Sequence, residues 1–250
     1  DAAKSLKASD EAKLVAGGQS LLAAMKLGLA APEALVDLGQ VAGLKGITVS
    51  GGTVTIGAMT THAEVAASKE VQQAIPALAF LASEIGDRQV RNRGTIGGSL
   101  ANNDPAADYP AAALGLGATI QTDQRSISAD DFFKGLYETA LRDGEVITAV
   151  KFPVPEKAAY QKFKQPASRF ASVGVFVSKG ASGVRVAVTG AKACVFRASA
   201  LESKLQASWD ASSCNGTYLS PADMTTDLHG SAEYRAALIP VLAGRAVAGS

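Results

Sequence analysis

The sequence predicts an α+β chain in two parts, and three observations predict it. Short β-branched runs alternate with helical segments from Lys13 to Phe152. Pro153-Val154-Pro155 then interrupts the pattern, as a linker would. Beyond it, strand-like runs dominate before two closing helices. The expected division is residues 1–155 and 156–250.

The elements follow in order. Residues 1–8 read as the middle of an amphipathic helix. They lack both the basic-then-apolar layout of an export signal and an initiator Met, so the expectation is that a segment preceding Asp1 is missing. Lys13-Leu-Val-Ala reads as a strand, Leu21 to Leu27 as a short helix and Ala34 to Leu38 as a second strand. Ile47-Thr-Val-Ser and Thr53-Val-Thr-Ile flank Gly51-Gly52, a two-residue hairpin signature. Thr61 with Glu64 three residues on predicts a capping box. Pro76 opens the next helix, whose Leu78, Leu81, Ala82 and Ile85 share a face, and Gly86 can close it. Tyr109 to Leu116 reads as a helix, with Ala118–Thr122 and Val146–Phe152 as strands. In the second part, 160–164, 173–179, 183–188 and 194–196 read as strands. Residues 199–205 form a helix, 208–226 a polar loop, and 232–247 a last helix with Pro240 expected to kink it.

Composition narrows the function. The chain is 47% apolar and 19% charged, enough to bury a core. A net charge of +1 and 6% aromatics argue against a nucleic-acid partner or a membrane surface, and no apolar run is long enough to span a bilayer. Cys194 and Cys214 are the only cysteines, whereas a 2Fe-2S cluster needs four ligands, so this chain cannot hold one alone. Cys194 is expected to be a small buried apolar residue and Cys214 an exposed free thiol. His62 and His229 have no partners at metal-ligand spacing and read as structural. No nucleophile motif or acid–base pair stands out, as expected when a cofactor carries the chemistry.

Two glycine loops carry the functional signal. The first is Leu14-Val15-Ala16-Gly17-Gly18-Gln19-Ser20-Leu21 and the second Thr95-Ile96-Gly97-Gly98-Ser99. Paired glycines let a backbone approach an anion closely, and successive amides in a turn form an anion nest. Two such loops could clamp a diphosphate from both sides. The Gly-x-Gly-x-x-Gly spacing and the Gly-Lys-Ser/Thr ending are both absent, so neither a Rossmann nor a P-loop site is expected. Taken singly, each loop is an ordinary turn.

The second loop runs on into Leu100-Ala-Asn-Asn-Asp-Pro-Ala-Ala-Asp108-Tyr-Pro. With Ala-Gly-Gly-Gln-Ser-Leu-Leu, Ile56-Gly-Ala-Met-Thr-Thr-His, Ile85-Gly-Asp-Arg-Gln-Val-Arg-Asn-Arg-Gly, Val188-Thr-Gly-Ala and His229-Gly-Ser-Ala-Glu-Tyr-Arg, the chain resembles the FAD-binding medium subunit of molybdenum hydroxylases, the carbon monoxide dehydrogenase and xanthine dehydrogenase family. The likeness covers nearly the whole chain. It implies a two-part FAD-binding domain of the vanillyl-alcohol-oxidase type, then a small α+β domain of the carbon monoxide dehydrogenase flavoprotein type. It implies that residues Leu14 to Leu21 hold the FAD diphosphate and that Thr95 to Ser99 approach diphosphate and flavin from the other side. Asp108 would contact the sugar or adenine end, and Ile85, Ile147 and Lys164 would be further contacts. From the residues alone, Asp108 could equally cap the helix at Tyr109, Lys164 could be a solvated lysine, and Ile85 and Ile147 ordinary core. Arg88, Arg91 and Arg93 could be a solvated face, offset phosphate or meet an acidic partner. Arg169-Phe170 stands where many relatives carry Asp-aromatic, which reverses a charge near the expected flavin.

The resemblance further implies a large molybdenum-cofactor subunit and a small subunit with two 2Fe-2S clusters, in a dimer of heterotrimers. Electrons would pass through FAD to quinone, NAD or oxygen. It implies a cytoplasmic protein, free or peripheral to the inner membrane face. Two alternatives stay open: a self-contained flavin oxidoreductase, and a non-enzymatic binding or assembly protein without flavin.

Overall fold

The computed structural model describes residues 12–250, so the helix expected over residues 1–8 lies outside the described residues. The chain begins with a parallel pair, β1 (Ala12–Val15) and β2 (Ala34–Asp37), joined through helix α1 (Leu21–Lys26). The hairpin β3 (Ile47–Ser50) and β4 (Thr53–Gly57) turns at Gly51 and Gly52, whose φ values of +56° and +70° are those a type I′ turn requires. Helix α2 (His62–Ala67) starts at Thr61, whose side chain accepts from the Glu64 amide while Glu64 accepts from the Thr61 amide. Helices α3 (Lys69–Ala74), α4 (Pro76–Ser83) and α5 (Arg88–Arg93) follow, the last capped by Asp87.

The second glycine loop is not a free turn. Gly97 and Gly98 lie in the first turn of helix α6 (Ile96–Asn102), for which Thr95 is the N-cap. Paired glycines disfavour a helix interior, but here the Thr95 cap and the burial of Ile96 and Leu100 outweigh that propensity. Helix α7 (Tyr109–Gly115) is buried on all sides. Strands β5 (Thr119–Thr122) and β6 (Ser126–Ser128), helix α8 (Ala129–Phe132), the small ribbon β7 (Phe133–Gly135) and β8 (Glu138–Thr139), and β9 (Ile147–Pro153) complete the first 155 residues. The main sheet there is antiparallel, in the order β3-β4-β9-β5-β6.

Strands β10 (Lys157–Lys164), β11 (Ala171–Gly180), β12 (Gly183–Thr189) and β13 (Phe196–Arg197) form a second antiparallel sheet in chain order. The strand expected over 194–196 is thus two residues, starting at Phe196 and paired to Ala187 and Val188. Helix α9 (Ser199–Ala207), a 3₁₀ turn (Ala211–Cys214) within the expected loop, and helix α10 (Ala232–Ala248), continuous through Pro240, end the chain. Side chains alternate across this sheet at period two. Tyr160, Phe176 and Ala187 join the core under the five-stranded sheet. Val173, Val175, Val177, Val184, Val186 and Val188 face a second core with α9 and α10. The C-terminal carbonyls of α7 are satisfied from this sheet, Leu114 by Arg185 at 2.8 Å and Gly115 by the Ser178 hydroxyl at 2.6 Å.

Both cysteines differ from expectation. Cys214 is fully buried, because α10 packs on the 3₁₀ turn through Gly244. Cys194 is only half-buried, and its sulfur lies 3.7 Å from the Asn103 side-chain nitrogen. Among the described residues no helix is long and apolar enough to cross a membrane.

Candidate functional site

A cleft of about 1080 Å³ runs between β1, the loop leading into β9, the α5–α6 junction and the β10–β11 loop. It is slightly larger than the ~300–1,000 Å³ usual for small-molecule sites and has room for a dinucleotide. Both glycine loops border it. They meet because glycines allow it: a Cβ on Gly98 would touch the Ala16 Cβ at 3.4 Å. A Cβ on Gly17 would fall on the Arg93 carbonyl, 2.6 Å from its carbon and 2.8 Å from the Gly94 Cα. A Cβ on Gly97 would lie 2.6 Å from the Ala58 Cβ.

The two loops nevertheless differ. In the second, the Ile96 amide donates to the Thr60 carbonyl at 3.1 Å and the Gly97 amide to the Ala58 carbonyl at 2.8 Å. The Gly98 amide donates to the Thr95 hydroxyl at 3.2 Å, and the Ser99 amide to the Thr95 carbonyl at 3.0 Å. That loop gives close approach, but its amides from Ile96 to Ser99 are all taken by protein acceptors. In the first loop, the amides of Gly17, Gly18, Gln19 and Ser20 have no protein acceptor among the described residues. Gly18 has φ +73°, so successive amides point toward one side. Such amides need an acceptor, and an anion supplies the best one. This donor set fits a diphosphate.

Fourteen of the residues singled out in the sequence line this cleft: Leu14, Ala16 to Leu21, Ile85, Thr95, Gly97, Gly98, Ser99, Asp108 and Ile147. Val15 and Ile96 do not; Ile96 is fully buried core. Lys164 also stands outside the lining, with its ammonium paired to Glu84.

Asp108 does not cap α7, because its side chain turns away from the helix amides. It accepts a 2.5 Å hydrogen bond from the Tyr160 hydroxyl and a 2.9 Å ion pair from Lys162, whose side chain is 1% exposed. Lys162 also donates to the Glu84 carbonyl at 3.1 Å. Burial pushes the Asp108 carboxyl up; the Lys162 charge and the Tyr160 hydroxyl oppose that push. Neither Lys162 nor Tyr160 was legible as a site residue. A period-two row of Tyr160, Lys162 and Lys164 on one strand face was the available signal.

His62 and Glu145 also line the cleft without having been expected there. His62 faces the cleft from the start of α2, its ring centroid 5.3 Å from that of Tyr109. Burial, and secondarily the charge of Arg91, lowers its pKa to about 4, so it is neutral at pH 7. Glu145 borders the opposite wall, and hydrogen bonds from Arg125, the Arg142 amide and Thr122 hold its pKa at about 2. Ser168, Arg169 and Phe170 close one side. Arg169 has φ +61°, a left-handed conformation that aspartate adopts more readily than arginine.

The fold and this cleft define a protein with a site of dinucleotide size bordered by two glycine loops. Its sequence matches, over residues 1–155, the family described as the FAD binding domain in molybdopterin dehydrogenase. It is 36% identical to the nicotine 6-hydroxylase medium subunit of Paenarthrobacter nicotinovorans, over 99% of this chain and 92% of that protein. It is 36% identical to the carbon monoxide dehydrogenase medium chain of Hydrogenophaga pseudoflava, over 95% of this chain and 88% of that one. Among solved structures, reconstituted CO dehydrogenase from Oligotropha carboxidovorans superposes with a TM-score of 0.92 at 34% identity, over 99% of this chain and 93% of that chain. The chain belongs to the FAD-binding medium-subunit family of molybdopterin dehydrogenases. It is an oxidoreductase flavoprotein, and neither alternative reading gains support.

Proposed function

We propose that this chain holds FAD in the cleft as the electron-transfer subunit of a molybdenum hydroxylase complex. The observation that carries the reading is the row of four amides from Gly17 to Ser20, unpartnered among the described residues and bordering a cleft of dinucleotide size. Those amides would bind the diphosphate. Gly97 and Gly98 would let the opposite wall approach it without side chains between. Ile85 and Ile147 supply apolar surface for the rings, and Asp108 supplies an anionic acceptor for a hydroxyl or N–H of the cofactor. Lys164 would reach the cofactor only by leaving Glu84, so its place is at the rim.

Bound FAD accepts single electrons and delivers them in pairs. What this chain contributes is binding, orientation and partial exclusion of water. The relatives are medium chains of multi-subunit enzymes, which supports a partnership with a large molybdenum-cofactor subunit and a small subunit bearing two 2Fe-2S clusters. With only two cysteines, this chain leaves the clusters to that partner. A dimer of heterotrimers, a quinone, NAD or oxygen acceptor, and a cytoplasmic or membrane-peripheral location complete the proposal. The division at Pro153–Pro155 belongs to it as well, with FAD held mainly by the first part.

The test is cofactor and metal analysis of the native complex together with its absorption spectrum. Flavin stoichiometric with this chain, with molybdenum and iron on co-purifying chains, is expected. A chain that binds no FAD even when FAD is added would overturn the proposal.

A further inference from the structure

Asp108 is carried by the first part of the chain, but everything that holds its carboxylate comes from residues beyond 155. Tyr160 and Lys162 on β10 bind its two oxygens. The Thr189 hydroxyl donates to the Ala107 and Pro105 carbonyls at 2.7 and 3.0 Å, and the Gly190 amide to Pro105 at 2.8 Å. The loop bearing Asp108 is therefore clamped from below by the second sheet. Lys162 is the central element of this clamp. Its ammonium is buried, bridges Asp108 and the Glu84 carbonyl, and thereby ties the Asp108 loop to the end of α4, next to Ile85 and Gly86 of the cleft wall.

We propose that Lys162 is a positioning residue for FAD: its buried ammonium keeps the Asp108 carboxylate anionic and aimed into the cleft, where it accepts a hydrogen bond from a hydroxyl or N–H of the cofactor. This rests on the reading of the cleft as the FAD site. A carboxylate facing a cofactor that carries two phosphates is useful only against the donor groups of its sugar, adenine or flavin parts, because it repels the diphosphate. A buried carboxylate without a counter-charge takes up a proton instead of staying ionised. The titratable groups facing Asp108 are few. They are Lys162 and Tyr160 on β10, Glu84 at the end of α4 with its partner Lys164, and Tyr109 on α7 with His62 against its ring. Glu84 opposes ionisation of Asp108, which leaves Lys162 as the one cation in contact with it among the described residues.

The experiment is FAD titration of the full chain by flavin fluorescence, at several pH values between about 6 and 9, for the wild type, K162M, Y160F and D108A. In K162M, FAD affinity should fall roughly tenfold or more at neutral pH, as for a buried charge pair that loses one partner. It should then recover as pH rises, because Asp108 regains its charge, whereas the wild type stays flat. Y160F, which removes one hydrogen bond and little volume, should show a smaller effect of the same sign and serves if K162M does not fold. A loss in D108A with unchanged or pH-independent binding in both K162M and Y160F would overturn the positioning role and leave the site intact. Unchanged binding in D108A would overturn the positioning role together with the Asp108 contact, whereas a wild-type chain that binds no FAD would overturn the reading of the cleft itself.

Discussion

Replacing Gly17 with alanine tests the anion nest directly. The new Cβ would lie on the Arg93 carbonyl, 2.6 Å from its carbon and 2.8 Å from the Gly94 Cα. Both neighbours are backbone and α5 fixes them, so the first loop must move by about 1 Å to restore van der Waals contact. Gly17 lies outside the hydrophobic core clusters, so the strain is relieved by the loop and not by the core. The apo chain should lose only about 1 kcal/mol or less, a shift of a few degrees at most in Tm. Binding responds differently. A 1 Å shift misaligns the amides of Gly17 and Gly18 with a bound phosphate, and hydrogen bonds to charged groups contribute roughly 1.5–3 kcal/mol each. Loss of one is worth about a tenfold to hundredfold rise in Kd for FAD. The assay is a fluorescence titration of apo protein with FAD, beside a thermal melt of the same sample. Gly28→Ala is the control: it has φ +70° but open space around it and no place in the cleft, so it should bind FAD normally. If G17A bound FAD as tightly as wild type, the first loop would not be the diphosphate site.

Three further outcomes follow from the same geometry. Gly97→Ala places a Cβ 2.6 Å from the Ala58 Cβ and 2.8 Å from its carbonyl oxygen at a buried helix start, so urea unfolding should show a loss of about 2 kcal/mol, and no change would contradict the close packing. His62 is held neutral with its pKa lowered from 6.5 to about 4, so the unfolded chain binds the extra proton between those values. Its contribution to stability is present above about pH 6.5 and is lost as pH falls toward 4, by roughly 2–3 kcal/mol; His62→Leu should flatten that slope, and an unchanged slope would refute it. Cys214 is buried and Cys194 half-exposed, so a thiol reagent should label Cys194 slowly in the native state and Cys214 only on unfolding, as peptide mapping will show.

Much of this protein is legible from local chemistry. The Gly51-Gly52 hairpin, the Thr61–Glu64 capping box and the Pro76 helix start depend on residues within four positions of each other, and each forms as its residues dictate. The first glycine loop is legible locally as a turn, with Gly18 at φ +73°. The second was misread in one respect. Its glycines suggest a free turn, yet Thr95 caps a helix there and the carbonyls of Ala58 and Thr60 take its amides. Those partners are more than thirty residues away, so no local pattern announces them.

The Asp108 environment shows the same limit from the other side. The sequence alone offers Asp108 as a helix cap and Lys162 as one lysine among several on a strand. Only the register of β10 against β11, and the packing of β10 on α4, bring Tyr160 and Lys162 onto that carboxylate across more than fifty residues. Cys214 follows the same rule: a polar neighbourhood in sequence became a buried one when α10 packed over it. The sequence by itself determined the local elements, the turn of the first glycine loop and the family, because those rest on backbone conformation and near neighbours. The tertiary structure alone decided which amides lack a protein acceptor among the described residues and which lysine is paired with the buried Asp108 carboxyl, because hydrogen-bond partners and burial are set by residues far apart in the chain.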